Sequence, residues 1–151
     1  MKNKLNVILQ PASDTFCAAV RAMLDFMGEA RPLWEIEGLS GYAFRILVHK
    51  DVCPSGTHHT KWIDIYPATM RRLGWEAQFY LHIDWDRKPD FAEHRKEMSE
   101  LIIRALGEGR PVAVYDIYVP EWAIITGYSE KANKFNVSTF INLAHWDTID
   151  I

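Results

Sequence analysis

The strongest constraint in this sequence is where its two hydrophobic periods fall. In the last third, residues 111–119, 122–128 and 135–141 form three apolar or β-branched segments. Only Pro120 and the turn-forming run Ser129-Glu130-Lys131-Ala132-Asn133 separate them. Connections this short leave no room for the crossover that parallel pairing needs, so they favour an antiparallel sheet of consecutive strands. The earlier part of the chain keeps mainly the helical period. Over residues 14–27, Phe16, Val20, Met23, Leu24 and Met27 recur at helical spacing, with Asp14 placed to cap the start and Gly28 to stop the end. Residues 63–73 read as a second helix closed by Gly74, with Pro67 near its true start, and residues 90–106 as a third on Phe91, Met98, Leu101, Ile102 and Ala105. Residues 32–36 suit a helical turn, and 42–48 an extended segment. Residues 75–83 alternate strictly and read as a half-buried strand. Helices first and strands last is the segregated α+β pattern, not a succession of βαβ units.

With 151 residues, no internal repeat and no Pro-, Gly- or Ser-rich linker, the chain is expected to form a single domain over 1–151. Its 17 basic and 20 acidic residues leave a net charge of -3, which supplies no cationic footprint for a nucleic-acid backbone or an anionic membrane. No run of about 18 apolar residues offers a membrane span, and residues 1–10 lack the pattern of a secretory signal. A cytoplasmic setting is therefore expected. There the two cysteines, Cys17 and Cys53, are thiols to be judged separately and not a disulfide.

Cys17 falls in the first turn of the first helix, three residues after Asp14, where free backbone N–H groups and the helix dipole favour a thiolate. Most helical cysteines in such a place are small buried hydrophobes, here beside Phe16 and Val20. Gln10, seven residues upstream, carries an amide of the kind that donates to an oxyanion forming above the Cys17 N–H.

Three patches carry a family resemblance: Gln10-Pro11-Ala12-Ser13-Asp14-Thr15-Phe16-Cys17-Ala18-Ala19, then Gly109-Arg110-Pro111-Val112-Ala113-Val114, then Glu121-Trp122-Ala123-Ile124-Ile125-Thr126-Gly127-Tyr128. Together they resemble the papain-like C39 peptidase superfamily, in particular its C39-like and BtrH N-terminal-type domains. The resemblance implies a papain-like α+β fold with N-terminal helices and a mostly antiparallel C-terminal sheet. It also implies Cys17 as nucleophile, Gln10 in the oxyanion hole, and a general-base His at the start of the strand ending in Gly127-Tyr128. An Asp or Asn on the next strand would orient that His, and Asn136 and Ser138 are both near its place. The His itself departs from the family pattern, because Glu121 stands at its position. An anion beside a thiolate opposes its formation, so Cys17 and Glu121 would resist each other's ionisation instead of forming the ion pair of a Cys/His dyad.

Two readings follow. In the first, the chain is a catalytically degenerate member of this fold that binds a peptide or small molecule in the old cleft. In the second, it is a cysteine-dependent amide hydrolase or acyltransferase working through an acyl-thioester on Cys17. The missing His favours the first, while His58 or His82 reaching Cys17 through space would favour the second. Neither reading calls for a cofactor, and the oligomeric state is left open. Cys53, His58 and His59 lack the usual zinc spacings, and His82, Asp84 and Asp86 read more simply as a polar strand end, so no metal is expected.

Overall fold

The structure, a computed structural model, describes residues 4–44, 46, 50, 62–80, 91–117, 119–141 and 147–150. These form α1 (Thr15–Phe26), α2 (Leu33–Ser40), α3 (Trp62–Arg72), α4 (Phe91–Gly107), β1 (Val112–Tyr115), β2 (Trp122–Ser129), β3 (Lys134–Ser138) and β4 (Asp147–Asp150). A 3-10 turn at Tyr42–Phe44 follows α2. The chain divides into two compact units, Met1–Arg31 with Asp84–Ile151, and Pro32–Ile83.

In the first unit, helix α1 begins where Asp14 leaves the helical conformation at φ -129 and ψ 119, and its carboxylate accepts the N–H groups of Phe16 and Cys17. Those are two of the four amides that a helix start leaves without a partner in the helix itself. Gly28, at φ 85, turns the chain away after Met27, a conformation that costs least without a Cβ. The four strands pair in sequence order as one antiparallel sheet, β1-β2-β3-β4. For β1, β2 and β3 this is the antiparallel pairing that their short connections favour, and the α+β class is as expected. β4 was not anticipated, because 144–150 reads as polar.

The register sorts the sheet residues onto two faces, since side chains alternate along each strand. Val112 and Val114 lie opposite Ile125 and Ala123, and Val137 lies opposite Ile125. With Phe135 and Tyr128 they form one apolar face, which α4 covers with Leu106, Ile102 and Ile103. Trp122 and Ile124 point the other way, together with Tyr115, Ser138 and Asn136, through the pairs Tyr115 with Trp122, Ile124 with Ser138 and Gly127 with Asn136. Helix α1 covers this second face, where Phe16 meets the Trp122 ring edge-on at 5.5 Å. An irregularity between Ile125 and Gly127 leaves Thr126 out of the ladder. Its carbonyl accepts the Leu5 N–H and its hydroxyl donates to the Asn136 carbonyl, so the bulge is satisfied by other means. β2 is the most enclosed of β1, β2 and β3, with seven of its eight residues buried.

In the second unit, Pro32 stands just before α2, where its missing N–H costs nothing, and Gly41 ends the helix at φ 73. The Arg72 guanidinium donates to the Leu39 carbonyl at 2.8 Å, tying the end of α3 to that of α2. Tyr66 packs against Phe79 at 5.3 Å. Three details differ from the sequence expectation. Pro67 lies inside α3 and not near its start. Only the Ile63 carbonyl, four residues back on an exposed residue, loses its amide partner, so the helix tolerates the proline. Residues 42–44 form a 3-10 turn where an extended segment was expected. Residues 75–80 carry no ladder, because alternation gives a strand only where a partner edge is available.

Candidate functional site

The N-terminus of α1 and the first residues of β2 meet through one hydroxyl. Thr15 Oγ1 accepts the Trp122 N–H at 3.2 Å and donates to Glu121 Oε2 at 2.5 Å. A short β2 entry segment makes this possible: the Asp116 N–H donates to the Glu121 carbonyl, and the Glu121 N–H to the Val119 carbonyl. Asp116 takes φ 63 to close the turn, a conformation that Asp tolerates better than most residues. Phe16, Trp122 and Tyr115 then pack in a row with their rings steeply tilted to one another, Tyr115 meeting Trp122 at 5.5 Å.

Cys17 lies one helical step inside this junction and is fully buried at 0% exposure. Its backbone N–H donates to Asp14 Oδ2 at 2.9 Å. The amide that an oxyanion hole would need is thus satisfied by a carboxylate, which would also repel a developing oxyanion. Gln10 is exposed, and the residue before it is fastened by the Leu9 N–H to the Ser138 hydroxyl at 2.9 Å. Glu121 stands beside the N-terminus of α1, where the resemblance implied a general base, and its carboxylate accepts from Thr15.

Asn136 and Ser138 both lie on the α1 face of β3, as an orienting residue should, but the register separates them from Glu121. Asn136 pairs with Gly127, six residues along β2 from Glu121 or roughly 20 Å at the usual strand rise, and Ser138 pairs with Ile124, about half as far. The structure therefore brings Glu121 to the helix that carries Cys17 and does not bring Asn136 to Glu121. His58 and His82 lie outside the described residues, as do Cys53, His59, Asp84 and Asp86. Among the described residues His94 is the sole histidine, on α4 across the sheet from α1, and no group of three or more His, Cys, Asp or Glu could hold a metal. No helix among the described residues is long and apolar enough to cross a membrane.

Beside Glu121 the surface opens into a shallow crevice. The β1–β2 connection (Ile117, Val119), the start of β2 and residues 139–141 after β3 line it. It spans about 200 Å³ including the space open to solvent, with free space inside for about one water-sized group. The walls are apolar, but Thr139, 6% exposed, has a buried hydroxyl with no hydrogen-bond partner among the described residues. Sequence reasoning missed Thr15 and Thr139 altogether. The position of Thr15 next to a helix cap was the one available signal, and it points to no partner.

Comparison with known proteins gives no match: no family model, no curated protein and no solved structure matches the chain.

Proposed function

We propose that the chain is a papain-like domain of the C39-like type, catalytically degenerate, which binds a peptide or small molecule in the cleft at the junction of α1 and β2. The observation that carries this reading is the state of Cys17. Its sulfur is sealed from solvent, its amide is held by Asp14, and the residue at the expected base position is a carboxylate bonded to Thr15. Nothing in that set activates a thiol. The apolar crevice beside Glu121 supplies a concave surface of the size of one side chain, smaller than the roughly 300–1,000 Å³ that a drug-sized ligand occupies. A reducing, cytoplasmic setting belongs to the same proposal.

The reading as an amide hydrolase or acyltransferase keeps one favourable observation, the seating of the Cys17 helix against the strand that begins at Trp122. Alkylation of the folded protein with iodoacetamide across pH, followed by mass mapping, separates the two. Cys17 is expected to stay unmodified until denaturant is added. Selective modification of Cys17 in the native protein below about pH 7 would show an activated thiolate and overturn the degenerate reading.

A further inference from the structure

We infer that the crevice beside Glu121 binds a primary alkylammonium group, with the charged end at the Glu121 carboxylate and the methylene stem along Val119, Phe140 and Ile141. This rests on the cleft being a binding site, and names the chemistry of its occupant. The first support is the charge left over at Glu121. The residue is half-buried and its carboxylate accepts a hydrogen bond from the Thr15 hydroxyl, yet no Lys, Arg or His among the described residues pairs with it. An anion partly withdrawn from water gains most from a cation that arrives with its own hydrogen-bond donors.

The second support is independent of Glu121. Thr139 is also a lining residue, and its hydroxyl is buried just behind the crevice surface and unpaired. Buried polar groups left in that condition in a native structure mark a place where something else completes the hydrogen bonding. Shape then selects among cations. The free space inside the crevice is about that of one water-sized group, which suits a compact ammonium better than a planar guanidinium. Around it the walls are aliphatic and aromatic, the surface along which a lysine-like stem packs while its charge stays hydrogen-bonded. The same chemistry is offered by a lysine side chain in a peptide and by a free alkylamine.

The test is an amide chemical-shift titration of the full chain with four probes: n-butylammonium, n-butanol, methylguanidinium, and a blocked tripeptide with a central lysine. Saturable shifts at residues 119–123 and 139–141 are expected with butylammonium and the lysine tripeptide. Butanol and methylguanidinium should bind at least about tenfold more weakly. Glu121→Gln keeps an acceptor for Thr15 and removes the charge, so it should weaken butylammonium about 10–100-fold. A tripeptide that binds at least about tenfold tighter than butylammonium assigns the occupant to a peptide, and equal affinities assign it to a free amine. Absence of saturable shifts at those amides overturns the inference, as does butanol binding as well as butylammonium. The comparison among probes on the unaltered chain stands even if the variant fails to fold. Because alkylation reads Cys17 alone and the titration reads the crevice alone, either proposal can fail without the other.

Discussion

Thr15 illustrates how much a single hydroxyl can organise at the residue scale. It accepts from one backbone amide and donates to one carboxylate, so replacing it strands two groups at once. Thr15→Val, which keeps the shape and removes the hydroxyl, is expected to cost about 1–3 kcal/mol of unfolding free energy in a urea titration, with Thr15→Ser recovering most of it. A double-mutant cycle of Thr15→Val with Glu121→Ala, each of which removes the bond, should be non-additive by more than about 0.5 kcal/mol, and additivity would show that the Thr15–Glu121 bond contributes nothing. The site was only partly legible in the sequence for reasons that these residues make plain. Asp14 could be read as a cap because capping is decided within three residues, and the structure has it accepting from Phe16 and Cys17. The bond from Thr15 to Glu121 spans 106 positions, and no local pattern encodes it. Asn136 falls in a segment that reads as a strand and is one, but its distance from Glu121 depends on register, which a pattern of apolar residues fixes only modulo two.

At the scale of elements, α3 is the one that carries an internal contradiction. Pro67 interrupts the hydrogen bonding of an 11-residue helix whose remaining residues suit it. Pro67→Ala restores that bond and is expected to stabilise α3 by about 1–3 kcal/mol, seen as slower amide exchange over 68–72. Unchanged exchange there would mean that the helix had already absorbed the proline. Elements with a strong internal period, such as α1, α4 and β2, could be located from the sequence because their burial depends on their own spacing. Residues 75–80 show the opposite case. Trp75 and Phe79 are more enclosed than Glu76 and Gln78, although Ala77 between them is exposed, and whether such a segment becomes a strand is decided by a neighbour elsewhere in the chain. β4 was missed for the complementary reason, since β3 supplies the edge to a segment with little apolar character of its own.

For the molecule as a whole, stability should be centred on β2, which both α1 and α4 cover and which pairs on both edges. Ile125→Ala, at a 1% exposed position between α4 and β3, is expected to lower the unfolding free energy by about 2–5 kcal/mol in a denaturant titration. A loss under about 1 kcal/mol would show that β2 is not the organising strand. The bonds from Thr15 to Glu121 and from Leu9 to Ser138 also have a kinetic meaning. They join residues 106 and 129 positions apart, while α4, β1, β2 and β3 are neighbours in the chain. Closing a loop of the shorter length carries an entropic charge of about 4 kcal/mol beyond the constant term, against little for a hairpin. The sheet and α4 are therefore expected to assemble first, and the N-terminal arm with its cysteine to dock onto a surface already formed, arriving last and leaving first.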